Sequence, residues 1–184
     1  LLILVQFNKL TIIIGSLALI PVFIYPLMKR VTWWPQIFLG ITFNWGALLG
    51  WLSLSNDFSS IYPILLYLAC IFWTVGYDTI YAHQDKDDDI VLNLKSSAIK
   101  LGENTKNALL IFYAIFFIIF AVILFSLSNS IIIYLAILSL LIHLVFQIIF
   151  LDIDNSDRCL KIFKSNNLLG LQISFFLILE LVIN

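Results

Sequence analysis

Apolar residues in this 184-residue chain fall in runs longer than the core of a soluble domain requires. A helix needs about 20 such residues to cross the hydrocarbon layer of a bilayer. The pattern predicts full spans at residues 10–28, 34–54, 61–82, 107–127, 131–150 and 167–183, with residues 1–7 as the tail of an earlier span. Only 11% of the chain is charged and 62% is hydrophobic, whereas a soluble domain is roughly a quarter charged and half apolar. The polar residues are too few to coat a water-soluble globule, and mean hydropathy is +1.06. The expected fold class is all-α, a single polytopic transmembrane helical bundle over residues 1–184.

The breaks between runs carry the polar residues. "MKR" and Pro35 separate the first two spans, with Pro35 suited to a first helical turn. "SNDFSS" ends the second, "SNS" follows residue 127, and "LDIDNSDRCLKIFKSNN" reads as a charged loop before the last. Alternate loops lie on opposite sides of the membrane. Lys29, Arg30, Lys86, Lys95, Lys100, Lys106, Arg158, Lys161 and Lys164 fall on one side, and Lys9 alone on the other. The positive-inside rule assigns the rich side to the cytoplasm, or to the matrix of a mitochondrial inner membrane. Net charge is −1, and no nucleic-acid partner is expected. Cys70 and Cys159 are too few and too far apart for a disulfide framework. The chain opens inside an apolar run without Met or a signal peptide, so an N-terminally incomplete sequence is expected.

One stretch breaks the apolar pattern. "YDTIYAHQDKDDD", residues 77–89, holds five aspartates. If the third span continued as helix to residue 89, Asp78, Asp85 and Asp89 would share an arc of about 40°, with Tyr81 beside it, Asp88 at its margin and Asp87 pointing away. Carboxylates stacked in this way repel one another and resist ionisation. A divalent cation relieves both effects, and Mg²⁺ favours one or two carboxylates with waters and substrate phosphates. The stripe therefore reads as one half of a metal–diphosphate site. The competing reading of "DKDDD" is a solvated loop. An EF-hand starting at Asp85 fails, because Ile90 stands where Gly is needed and Ser96 where Glu is needed. A cation pathway in a transporter would place acids mid-span, whereas these lie at a span's end and the other acid within a span is Glu180, close to the terminus.

Other polar residues divide between structural and binding roles. Lys29 and Arg30 either set topology or form an anion site, for which Arg30 is better suited because its planar fork matches carboxylate or phosphate. Lys95 could lie over a diphosphate, or its neighbours Ser96 and Ser97 could cap a helix. Asn166 or Asn167 is expected to cap the last span. His143, Gln147 and Asn44 read as interhelical hydrogen-bonders. "TWWPQ" reads as an interfacial belt, and some aromatics could line a channel for an apolar chain and face a cation.

"YDTIYAHQDKDDDIVLNLKSSAIKLG" resembles the second Asp-rich motif of the UbiA superfamily of intramembrane aromatic prenyltransferases. "YPLMKRVTWWPQIFLG" and "CLKIFKSNNLLGL" resemble segments of its 4-hydroxybenzoate polyprenyltransferase branch. The resemblance implies nine transmembrane helices around a cavity, of which this chain would hold six and part of a seventh. It also implies two Asp-rich motifs binding Mg²⁺ and a polyprenyl diphosphate, and transfer of the prenyl group to 4-hydroxybenzoate ortho to its hydroxyl, toward ubiquinone. The metal-binding acids of the second motif fall on Asp85 and Asp89, its upstream Asp and Tyr on Asp78 and Tyr81, and the branch's loop arginine on Arg30. Lys29 and Lys95 are the further candidates for substrate binding. The first motif is absent, and nothing before residue 57 is acidic. The resemblance therefore implies an enzyme in the intact protein and an inactive chain in isolation. Another aromatic acceptor within the superfamily, or a cation-coupled transporter, are the alternative functions.

Overall fold

The computed structural model describes residues 2–55 and 57–184. Helices account for the regular structure, and no strand occurs among the described residues. Six helical segments are long and apolar enough to cross a membrane: Lys9–Val31, Pro35–Ser55, Tyr62–Ala82, Ser97–Leu127, Ile131–Phe150 and Ser156–Ile183.

Two of these are broken in the middle. The first consists of α1 (Lys9–Leu17) and α2 (Leu19–Val31). Pro21 lies in the first turn of α2, where a missing N–H costs little, and Pro26 lies inside the helix. The second consists of α3 (Pro35–Phe43), opening on Pro35, and α4 (Gly46–Ser55). Asn44 sits at that break and donates to the carbonyls of Gly40 (2.8 Å) and Cys70 (3.2 Å) and to Thr74 Oγ1 (2.8 Å). One amide thus satisfies the end of α3 and ties it to α5 (Tyr62–Ala82).

α5 is the central helix. It packs on α3 and α4 on one flank and on α8 (Thr105–Leu127) and α10 (Ser156–Ile183) on the other, while α9 (Ile131–Phe150) lies against α8 and α10. α5 and α8 approach closely at Gly76, where a Cβ would fall 2.2 Å from a ring carbon of Tyr113. Four elements meet in a buried polar network. Tyr113 donates to Gln147 Oε1 (2.5 Å), and Gln147 Nε2 and Trp73 Nε1 both donate to Asn166 Oδ1 (2.9 Å each). His143 pairs with Ser165 (3.2 Å), so Asn44, Gln147 and His143 all bridge helices. Inside a bilayer such bonds are specific because the alternative is a polar group in hydrocarbon.

Three expectations are corrected. The last span starts at Ser156 rather than 167, and its N-cap is Asn155, which accepts from the Arg158 N–H (2.9 Å), not Asn166 or Asn167. The charges of "SDRCLKIFK" misled because they occupy one face while Cys159, Ile162, Asn166 and Leu169 bury the other. Residues 4–6 form a single 3₁₀ turn. α5 does not run on to residue 89: it ends at Ala82, and a separate short helix, α6 (Lys86–Val91), follows.

Candidate functional site

The break between α5 and α6 places the acidic stretch at one end of the bundle. The N–H of His83 turns back to the Ile80 carbonyl (3.2 Å) and that of Gln84 to Tyr81 (2.8 Å), a tightening that closes α5. Asp85 stands at the N-cap of α6, but its carboxylate makes no capping bond. The ladder resumes with the Asp89 N–H donating to the Asp85 carbonyl (2.9 Å), which sets the two acids one turn apart. Asp87 and Asp88 are exposed, whereas Asp89 is 3% exposed. The face expected to be solvated is solvated, although the long helix that implied it does not form.

Lys29 closes this site from α2. Its ammonium donates to both carboxylate oxygens of Asp89, at 3.0 and 3.2 Å. The backbone seals the same junction, because the Lys95 N–H donates to the Lys29 carbonyl (2.7 Å) and Lys95 Nζ to the Val31 carbonyl (3.1 Å). Lys95 Nζ also lies 5.7 Å from the centre of the Trp33 ring. Ser96 caps α7 (Ser97–Leu101), accepting from the Ile99 N–H (3.4 Å). Behind it, Ser97 meets Thr79 (2.7 Å), and its N–H donates to the buried Gln36 side chain (3.3 Å). Arg30 is exposed, and no carboxylate among the described residues lies within ion-pairing distance of it.

The structure therefore gathers Lys29, Asp89, Asp85 and Lys95 at one end, with Arg30 next to Lys29 on a free surface. Asp78 and Tyr81, both half-buried, lie on the last turns of α5 beneath them. Burial raises the Asp85 carboxyl above the usual carboxylate range; Lys29 opposes this, and Asp89 and Asp88 add to it. Lys29 alone does not balance these acids. Among the described residues no three His, Cys, Asp or Glu side chains converge on one point. The Asp85 carboxylate makes no capping bond and that of Asp89 is held by Lys29; a pair of carboxylates fits Mg²⁺, which takes its other ligands from water and phosphate.

Aromatic rings continue inward from the acids. Tyr81 lies 4.8 Å from Phe163 between ring centres, Phe163 lies 5.7 Å from Tyr77, and Tyr77 lies 5.6 Å from Trp73. Trp73, Tyr77 and Tyr81 follow at four-residue spacing along one face of α5, a signal present in the sequence but not used. Phe163, hidden in a supposed loop, had no such signal. His83 was passed over as well. It is 5% exposed and bonds through Nε2 to Thr105 Oγ1 (2.8 Å). Burial and Lys86 push its imidazole down to about 4 against the pull of Asp154, so the ring is neutral.

The UbiA prenyltransferase family model matches residues 1–176. Curated relatives include the mitochondrial 4-hydroxybenzoate polyprenyltransferases of Drosophila melanogaster (46% identical over 93% of this chain and 44% of the relative) and Caenorhabditis elegans (43% over 92% and 48%). The Homo sapiens enzyme of that name is 41% identical over 94% of this chain and 46% of its own. The chain thus spans about half the length of the curated relatives it matches. The solved apo structure of a UbiA homologue from Aeropyrum pernix K1 superposes with a TM-score of 0.77, covering 96% of this chain and 66% of that one at 22% identity, a likeness of fold. With its six apolar helical segments and a family match along nearly its whole length, this multi-pass membrane chain belongs to the UbiA prenyltransferase family.

Proposed function

We propose that residues 1–184 form the C-terminal part of a 4-hydroxybenzoate polyprenyltransferase. That enzyme transfers a polyprenyl group from its diphosphate to the carbon ortho to the hydroxyl of 4-hydroxybenzoate, in ubiquinone biosynthesis. The observation that carries the reading is the pair Asp85 and Asp89, one helical turn apart and faced by Lys29, at the head of the aromatic row Tyr81–Phe163–Tyr77–Trp73. The positive-inside rule puts this end on the cytoplasmic or matrix side.

Asp85 and Asp89 would hold Mg²⁺, which when bound neutralises charge developing on the departing diphosphate. Lys29 and Lys95 place further positive charge where that anion sits. Asp78 adds negative charge beneath the pair, and Tyr81 offers its hydroxyl and ring face at the mouth of the aromatic row. Those rings exclude water and present π faces toward an allylic cation. Arg30, exposed and without an ion-pair partner among the described residues, is the candidate grip for the acceptor carboxylate or a phosphate oxygen.

Membranes containing the full-length enzyme, supplied with Mg²⁺, polyprenyl diphosphate and labelled 4-hydroxybenzoate, should form a labelled lipid. Asp85→Ala or Asp89→Ala should each lower turnover by two or more orders of magnitude, as loss of such electrostatic groups does, whereas the exposed Asp87→Asn should lower it little. Cation flux without a covalent product would favour a transporter, and preference for homogentisate another acceptor. Residues 1–184 alone carry one acidic motif and should be inactive, with activity returning on co-expression of the N-terminal helices.

A further inference from the structure

The α5–α6 break has no local cause. Residues 77–92, "YDTIYAHQDKDDDIVL", contain neither Gly nor Pro, the usual agents of an interrupted helix. A break there gives up helical hydrogen bonds, so a tertiary contact has to hold it. Of the residues in the break, Asp85 makes no capping bond and Gln84 Oε1 is buried without a partner among the described residues. His83 alone among them bonds through its side chain to another helix, at Thr105, the first residue of α8.

The direction of that bond is fixed by its surroundings. Thr105 Oγ1 donates its single proton to the Gly102 carbonyl (2.6 Å), which can only accept. Its oxygen must then accept from His83, so the imidazole carries its proton on Nε2. Nδ1 is the bare nitrogen, buried and without a partner among the described residues. Both His83 and Thr105 are buried, at 5% and 0% exposure, so water does not substitute for the lost partner if either is removed. Thr105 is itself pinned to the α7–α8 corner, where Gly102 takes a φ of +51° that other residues rarely adopt.

We propose that His83 is a positioning residue, whose Nε2–H bond to Thr105 holds the α5–α6 break and thereby sets where Asp85 stands relative to Asp89. Without it, Asp89 is still held by Lys29, but residues 83–85 lose their tie to α8 and Asp85 is free to shift relative to Asp89. The bond touches neither substrate nor metal and acts through the backbone between residues 83 and 85. This rests on the reading of Asp85 and Asp89 as a metal–diphosphate site.

The test uses the full-length enzyme in detergent and two readouts. One is Mn²⁺ affinity measured by electron paramagnetic resonance with inorganic pyrophosphate present; the other is the KM for each substrate. His83→Leu and Thr105→Val should each weaken Mn²⁺ binding tenfold or more and raise the KM for prenyl diphosphate, with the acceptor KM unchanged. His83→Gln, whose amide N–H reaches about as far as Nε2, and Thr105→Ser should stay within twofold of the unaltered enzyme. The double variant His83→Leu/Thr105→Val should be no worse than Thr105→Val alone, because that single variant already lacks the His83–Thr105 bond. Unchanged Mn²⁺ affinity in Thr105→Val, or failure of His83→Gln to rescue, would overturn the assignment while leaving the site intact. If His83→Leu does not fold, Thr105→Val and His83→Gln still decide. Absence of Mn²⁺–pyrophosphate binding in the unaltered enzyme would overturn the metal-site reading itself.

Discussion

Lys29→Met is the sharpest probe of the acidic end. It preserves a long apolar stem and removes the charge that holds both oxygens of Asp89, at 3.0 and 3.2 Å. At 3.0 Å and an effective dielectric constant near 20, the gross Coulomb attraction is about 5–6 kcal/mol. Breaking a buried pair by removing one partner costs about 3–5 kcal/mol, because the other charge is left stranded. Asp89 meets that condition with 4% of its side chain exposed, but Lys29 is 34% exposed and water already screens it. We therefore expect a loss of about 2–3 kcal/mol without metal, or roughly 5–10 °C in melting temperature for a chain of this size. Asp89→Asn should cost less than about 1 kcal/mol, because the freed ammonium can turn to solvent. The double variant Lys29→Met/Asp89→Asn should recover most of the Lys29→Met loss. The assay is thermal unfolding in detergent with a chelator, followed by tryptophan fluorescence. If Lys29→Met and the double variant lose the same amount, the stranded-charge argument is wrong and Lys29 contributes through its stem alone. Added Mg²⁺ and pyrophosphate should raise the melting temperature of Lys29→Met more than that of the double variant, since only the former keeps the carboxylate.

Three further outcomes are expected. Gly76→Ala should destabilise by about 1–3 kcal/mol, measured by the same melt, because its Cβ would lie 2.2 Å from Tyr113, whose ring Gln147 holds in place. Arg30→Lys keeps the charge but loses the planar fork; if Arg30 grips the acceptor, the KM for 4-hydroxybenzoate should rise about tenfold and the donor KM should not, and the reverse result would assign it to the diphosphate. The contribution of His83 to stability should fall as the pH is lowered from 6.5 to 4, because its imidazole is held down to about 4 in the fold against an ordinary 6.5; the raised Asp85 carboxyl acts in the opposite sense, so the quantity to read is the difference between the unaltered chain and His83→Gln. Above 6.5 neither state binds that proton and the full contribution is present; between the two values the unfolded chain binds it first, and up to about 3 kcal/mol is lost. Melts of His83→Gln against pH should lack this slope, and an unchanged slope would assign it to another group.

The sequence by itself determined the number of spans and most of their bounds. Runs of apolar residues can bury themselves only in lipid or against one another, so four of the six predicted spans coincide with the apolar segments to within a few residues, and a fifth, 107–127, matches α8 (Thr105–Leu127) without the α7 turn that precedes it. The bases of "MKR" and the aspartates of residues 85–89 were correctly assigned to a common end, because alternating loops fix that parity whatever the packing; the Lys29–Asp89 bond is the result. Periodicity failed where a tertiary bond outweighed it. Nothing local ends α5 at Ala82, so a single helix through residue 89 was the reasonable expectation, and it put Asp78, Asp85 and Asp89 in one stripe. Only the packed structure shows His83 drawn to Thr105 and Asp89 drawn to Lys29, two contacts between residues 22 and 60 positions apart. Asn166 makes the same point from the other side. Beside a charged stretch it looked like a cap, and packing instead turned it inward to accept from Trp73 and Gln147. Hydrophobic length is a property of the chain alone, and it decides what enters the membrane. The partner of a polar side chain depends on which helix faces it, and that is decided when the helices pack.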